Sequence, residues 1–230
     1  QFRELLQRDY RVVSMDLRGF GASDTPSKHY NYNQMADDIY TVVRFLNLTS
    51  FTLVGFSMGG GIVTRYMGRY HGYGVKKLIY LAAAAPKYTK SADFPYGVPK
   101  ANVDTWIDAA ATDRPQLVQT FGQTLWNRPH SEAIKNWFRD IALSASGLAT
   151  METAKALRDE DCREDMAKIQ VPTGIFHGQK DKVVPFELAE VQQAMIKDAD
   201  LFPLKESGHG IFYDNLEEFN KQFFSYLEGK

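Results

Sequence analysis

The chain has 230 residues, 44% of them hydrophobic and 13% aromatic, with a formal net charge of −1. This length suits one α/β domain with a modest insertion, and this apolar share is enough for a large core. The near-zero charge leaves no electrostatic footprint for nucleic acid or an anionic membrane, no apolar run approaches a membrane span, and the single cysteine, Cys162, excludes an internal disulfide and lacks metal-site spacing.

In chain order, Gln1 to Arg8 reads as the end of a helix with Phe2, Leu5 and Leu6 on one face. Arg11 to Leu17 alternates loosely and is expected as a strand. It runs into the glycine turn Arg18-Gly19-Phe20-Gly21-Ala22-Ser23-Asp24, read as backbone geometry alone. Asn33 to Leu46 spaces Met35, Ile39, Val42, Val43 and Leu46 as an amphipathic helix. Phe51-Thr52-Leu53-Val54 is short, apolar and β-rich, the pattern of a buried strand. Met58 to Tyr70 reads as a helix with Ile62, Val63, Tyr66 and Met67 inward, and Val75 to Ala84 as a further strand ended by Pro86.

From 87 to 168 the character changes. Prolines 95, 99, 115 and 129, the tryptophans Trp106, Trp126 and Trp137, and helical periodicity without strand signals predict an inserted helical lid. The core then resumes, so residues 1–86 and 169–230 form one α/β unit. Thr173 to Phe176 is a strand meeting His177-Gly178, Phe186 to Ile196 a helix, and Asp200 to Leu204 a last strand ending at Glu206-Ser207-Gly208-His209-Gly210. Asn215 with Glu218 has capping-box spacing for a final helix whose buried face is Leu216, Phe219, Phe223 and Leu227. Strands alternating with helices predict a mostly parallel sheet covered on both faces.

Between the Phe51 strand and the Met58 helix stands Gly55-Phe56-Ser57-Met58-Gly59. In a strand–turn–helix context, G-x-S-x-G holds the serine on a strained turn above the sheet. Glycines 55 and 59 are expected to relieve crowding there, with Gly60 and Gly61 letting the helix approach the sheet. The Met58 N–H, at the helix N-terminus, is positioned to meet an oxyanion. A serine nucleophile needs a base, and the base needs a partner that fixes its tautomer. His209, in a glycine-flanked loop after the last strand, is the base of choice. His29, His71 and His130 read as surface residues and His177 as a locally bonded structural one. Asp181, just past the Thr173 strand, is preferred as the acid over Asp93 and Asp214.

The stretches Asp16-Leu17-Arg18-Gly19-Phe20-Gly21-Ala22-Ser23, Gly55-Phe56-Ser57-Met58-Gly59-Gly60, His177-Gly178-Gln179-Lys180-Asp181 and Gly208-His209 resemble the α/β-hydrolase superfamily, in its branch of small carboxylesterases and cofactor-free haloperoxidase-like enzymes. The resemblance implies an α/β-hydrolase fold, Ser57, His209 and Asp181 as a catalytic triad, and an acyl-enzyme mechanism. It disfavours dehalogenases and epoxide hydrolases, whose nucleophile is a carboxylate at the Ser57 position. The expected activity is hydrolysis of small to medium apolar esters. Trp106, Phe121, Trp126 and Trp137 are candidates for the acyl pocket wall. Perhydrolysis and a low-turnover ligand-binding receptor are the rival readings. No cofactor or metal, and no nucleic-acid or membrane partner, is expected, and a cytoplasmic location is the accompanying expectation.

One departure from the family is large. Its first strands and a His-Gly-x-Pro-type loop, which supplies a second oxyanion donor, have no counterpart before Arg11. The expectation is that the chain lacks an N-terminal segment, supplied in a longer chain or by a companion peptide. The other possibility is that Arg11–Leu17 pairs directly with Phe51–Val54.

Overall fold

The computed structural model describes residues 1–229. Its elements in order are α1 (Phe2–Leu6), α2 (Tyr32–Phe45), β1 (Phe51–Phe56), α3 (Met58–Arg69), β2 (Val75–Leu81), α4 (Lys100–Thr112), α5 (Arg114–Thr124), α6 (Glu132–Leu143), α7 (Gly147–Asp159), α8 (Arg163–Met166), β3 (Thr173–Gly178), α9 (Glu187–Met195), β4 (Ala199–Leu204), α10 (Ile211–Asp214) and α11 (Leu216–Gly229).

The strands form one parallel sheet in the order β1-β2-β3-β4. Parallel neighbours require crossovers. Here α3 makes the first, the stretch holding α4 to α8 the second, and α9 the third. Strand β3 is buried along its whole length, as an inner strand covered on both faces should be. Strand β4 lies at an edge, which is why Pro203, with no N–H for a ladder, is tolerated in it.

Period-two alternation divides the core into two layers. Leu78 and Tyr80 of β2 and Ile175 of β3 join Val63, Tyr66 and Met67 of α3 and Ala189 of α9 on one side. Ile79 and Phe176 join Phe219, Phe223, Phe224 and Tyr226 of α11 on the other. Each such large side chain contributes about 1.5–3 kcal/mol by leaving water. Among the described residues, no helix is long and apolar enough to cross a membrane.

Several expectations are corrected. Arg11–Leu17 is not a strand: among the described residues it pairs with neither β1 nor any other strand, and none of its side chains is buried. Without a core face nothing fixes a pairing register. Asp16 instead serves the following turn, accepting from Ala22 N–H at 2.9 Å and, through its carbonyl, from the Ser23 hydroxyl at 2.7 Å. Strand β2 stops at Leu81 rather than Ala84, because Ala82 turns to a φ of 44°. On α1 only Leu5 packs inward, while Phe2 (57% exposed) and Leu6 (60%) face out. Leu216 is exposed, and Phe224 and Tyr226 complete the buried face of α11 in its place. The Asn215–Glu218 pair forms as a side-chain bond, Asn215 Nδ2 donating to Glu218 Oε2, rather than as a reciprocal capping box.

The charged run 158–165 makes specific contacts with α3. Arg65 of α3 pairs with Glu160 at 3.0 Å and Asp165 at 2.9 Å, fastening the end of the helical insertion to the helix that follows Ser57. Cys162 is buried within this joint, its thiol donating to the Gly61 carbonyl at 3.6 Å. Burial pushes its pKa up to about 12 against the opposing pull of Arg65. Only the thiolate is a good nucleophile, so at about pH 8 an aromatic disulfide reagent should leave the native protein unmodified and react fully once urea unfolds it. Complete reaction of the folded protein within minutes would contradict this burial.

Candidate active site

Strand β1 ends at Phe56, and α3 starts at Met58. Between them Ser57 adopts φ 53° and ψ −123°, a conformation that side-chain-bearing residues rarely hold. The neighbouring backbone enforces it. Ser57 N–H donates to the Leu81 carbonyl at 3.0 Å, and the Ser57 carbonyl accepts from Gly60 and Ala84 N–H, each at 2.9 Å. The glycines divide unequally. A Cβ on Gly55 would lie 2.6 Å from the Gly59 carbonyl oxygen, on Gly60 2.3 Å from Ala83 Cβ, and on Gly61 2.5 Å from the Tyr32 ring. Gly59 itself faces open space, so the crowding expected there is absent.

As the residue preceding a helix, Ser57 could cap it, but its side chain makes no capping bond. The hydroxyl goes instead to His209 Nε2, 2.9 Å away. The Met58 N–H, at the start of α3, has no intrahelical acceptor and lies at the positive end of the helix dipole.

His209 follows β4, and Asp181 follows β3. His209 Nδ1 lies 2.7 Å from Asp181 Oδ2. An ionised carboxylate only accepts, so Nδ1 carries the proton and Nε2 is free to accept from the serine. The other carboxylate oxygen of Asp181 takes Val183 and Val184 N–H, both at 2.8 Å, which locks the carboxylate plane. The two loops pack backbone against backbone: Lys180 N–H donates to the Ser207 carbonyl at 3.0 Å, and a Cβ on Gly178 would lie 2.3 Å from the Ser207 and Gly208 carbonyl oxygens. The His177 ring donates through Nε2 to the Val184 carbonyl at 2.9 Å and comes within 3.4 Å of Asp181 Oδ2, which matches its structural reading and adds a role beside the acid.

The structure therefore brings Ser57, His209 and Asp181 into one chain of hydrogen bonds. Asp214 makes no bond to the His209 ring, and Asp93 pairs with Arg163 at 2.7 Å. Among the described residues, no group of three or more His, Cys, Asp and Glu side chains has the arrangement to hold a metal ion.

The candidate pocket aromatics separate. Trp106 and Phe121 meet edge-on at 6.0 Å and pack toward Tyr88, Val183 and Leu188. Trp126 is 7% exposed and packs on His130, Phe138 and Tyr213, with its ring over Gly210. Trp137 is 56% exposed and touches Phe138 edge-on, so it walls no enclosed space. A row of rings that sequence reasoning passed over starts at His209: Phe56 lies 4.9 Å from the His209 ring, Phe212 5.1 Å from Phe56, and Phe138 stacks on Phe212 at 6.3 Å. Phe56 lies inside the serine motif and was the one readable signal for this row. His130 is also corrected. It is not a surface residue but pairs with the buried Asp214 at 2.8 Å.

A family described as the alpha/beta hydrolase fold matches residues 1–216. The chain belongs to this family. The α/β-hydrolase fold accounts for the parallel sheet, in which Ser57 follows β1, Asp181 follows β3 and His209 follows β4. The chain is similar to an AB hydrolase superfamily protein, YisY, of Bacillus subtilis, with 43% identity over 220 residues, 96% of this chain and 82% of that one. Among solved structures it is similar to an esterase from Exiguobacterium antarcticum (TM-score 0.96, 43% identity, 98% of this chain and 84% of that one). It is also similar to a bromoperoxidase from Bacillus anthracis (TM-score 0.95, 32% identity, 99% and 85%).

Two expectations follow from the site. Burial alone would raise the pKa of Asp181, but hydrogen bonds from the His177 and His209 rings outweigh it and hold the carboxyl well below the usual carboxylate range. A depressed native pKa gives stability that is present above the unfolded value, about 3.9, and lost as pH falls through the native one. The stability gap in urea between wild type and Asp181→Asn should be constant from about pH 5 to 7 and close below about pH 4. A gap that widens in acid would have the wrong sign. Separately, Trp126→Ala should cost about 3–5 kcal/mol and Trp137→Ala under about 0.5 kcal/mol. Equal losses in thermal melts would contradict the burial difference.

Proposed function

We propose that this α/β hydrolase is a serine hydrolase that cleaves small to medium apolar carboxylic esters through an acyl-enzyme. The observation that carries the reading is the unbroken relay from Ser57 Oγ to His209 Nε2 at 2.9 Å and from His209 Nδ1 to Asp181 Oδ2 at 2.7 Å. Its acid end is buried, while the serine is only half-buried and open to a substrate.

In this mechanism Ser57 Oγ attacks the ester carbonyl carbon as His209 Nε2 takes its proton. Asp181 keeps the ring in the right tautomer and balances the imidazolium charge. The carbonyl oxygen becomes an oxyanion facing Met58 N–H and the N-terminus of α3. Collapse expels the alcohol, which leaves with the proton from Nε2, and the acyl group stays on Ser57. Water then repeats the sequence through the same base and releases the acid. The aromatic row that runs from His209 through Phe56 and Phe212 to Phe138 supports an apolar substrate. So does the likeness to an esterase at 43% identity. The likeness to a bromoperoxidase supports a second outcome at the same acyl-enzyme, in which hydrogen peroxide replaces water and the product is a peracid.

An aryl phosphonate should add one covalent group to Ser57, and Ser57→Ala should abolish it. An adduct on the buried Ser207 would remove the assignment. On a p-nitrophenyl ester, Asp181→Asn should stay folded and lower kcat by up to about four orders of magnitude, since the amide favours the wrong imidazole tautomer. A variant within tenfold of wild type would show that Asp181 is not the partner of the base.

A further inference from the structure

Asp214, on α10, is buried to 3% exposure and takes no part in the relay. Its carboxylate nonetheless accepts four hydrogen bonds. Oδ2 takes Gly208 N–H at 2.6 Å and Asn127 N–H at 2.7 Å. Oδ1 takes Arg128 N–H at 3.1 Å and the His130 ring Nε2 at 2.8 Å. One donor comes from the residue immediately before His209, and the other three come from a single segment of the helical insertion between α5 and α6.

That segment holds the histidine loop at three further points. Gly210 N–H, on the other side of His209, donates to the Leu125 carbonyl at 2.9 Å. Asn127 Nδ2 donates to the Glu206 carbonyl at 3.0 Å. The Trp126 ring covers Gly210 so closely that a Cβ there would lie 2.5 Å from it, and a Cβ on Gly208 would lie 2.9 Å from Asn127 N and the Leu125 carbonyl oxygen. The Gly-His-Gly sequence is thus what allows the insertion to close on both flanks of the histidine.

We propose that Asp214 is a positioning residue for His209, and that through it residues 125–130 of the helical insertion set the place of the base over Ser57. The proposal rests on the reading of His209 as the general base. The carboxylate is suited to this because both oxygens only accept, so it joins two segments that each present N–H groups and would otherwise meet donor to donor. An error of about 1 Å in the base relative to the nucleophile can cost about a hundredfold in rate. The insertion and the catalytic loop therefore move as one piece, and any opening of residues 125–130 carries the base away from the serine.

The test uses p-nitrophenyl acetate and compares wild type, Asp214→Asn and His130→Ala, with Asp181→Asn as the reference for loss of the relay. The side-chain amide that Asp214→Asn introduces keeps one acceptor oxygen but turns a donor toward two of the N–H groups. Asp214→Asn should lower kcat by about ten- to a hundredfold, leave KM within about twofold, and move the acid limb of the kcat–pH profile. His130→Ala removes one donor of the insertion, keeps the Gly208 bond, and should lower kcat by a smaller factor of about two to ten at constant KM. If Asp214→Asn keeps kcat within twofold of wild type and an unmoved pH profile, whatever its melting temperature, Asp214 is structural only and the proposal fails. If Asp214→Asn does not fold, His130→Ala and Asn127→Ala decide, and wild-type kcat and pH profile in both overturn the proposal. If Asp181→Asn is itself fully active, the reading of the relay has failed, a different result from failure of the Asp214 variants alone.

Discussion

Ser57 sits in a backbone conformation that costs about 1–3 kcal/mol on its own, and the rest of the site depends on its being held there. Three backbone hydrogen bonds, to Leu81, Gly60 and Ala84, leave the residue no relaxed alternative. One ties it to the last residue of β2 and another to the turn that follows, so Ser57 is fixed by a neighbouring strand and its exit as much as by its own strand. The missing side chain at Gly55 lets α3 lie directly on β1, and the one at Gly60 lets it lie against Ala83 just past β2. Because the turn directs the hydroxyl to His209 and not back to its own helix, the Met58 N–H at the start of α3 remains available to a negative charge.

The distances in the relay are a product of parallel pairing. His177 and Gly178 of β3 register against Pro203 and Leu204 of β4, so the loops bearing Asp181 and His209 leave the sheet side by side. Gly178 then allows those loops to touch backbone to backbone. A single β carbon there would separate acid from base, because two carbonyl oxygens already stand within 2.3 Å of where it would sit.

Two buried carboxylates flank the histidine and act differently. Asp181 touches the ring, and its own plane is fixed by Val183 and Val184 N–H. Asp214 touches only the backbone beside the ring and reaches outward to the insertion. Among the described residues neither is paired with Arg or Lys; backbone amides and imidazoles satisfy both, as burial demands. Two of the joints between the insertion and the core differ in chemistry. Buried amide bonds hold it at Asp214, and ion pairs of Arg65 with Glu160 and Asp165 hold it beside α3.

The G-x-S-x-G turn was legible in the sequence because all its determinants are local: an apolar β-rich run, two close glycines and a helical repeat. Asp181 and His209 were legible for a related reason, since each follows a strand whose apolar pattern marks its end. The helical insertion showed itself by losing strand periodicity between two core strands. What stayed hidden depended on partners distant in the chain. Arg11–Leu17 alternates, but alternation says nothing of whether a neighbouring strand stands beside it, and among the described residues none does. Tryptophan content indicated packing without direction, so Trp126 and Trp137 read alike although one is buried and the other exposed. His130 and Asp214 carried no signal, because a polar residue in a loop looks the same whether solvent or another polar group 84 residues away satisfies it. The sequence by itself determined most of the elements and the chain order of Ser57, Asp181 and His209 at strand ends, because backbone periodicity and turn chemistry act over a few residues. Only the tertiary structure decided which polar groups lost their water and had to find each other.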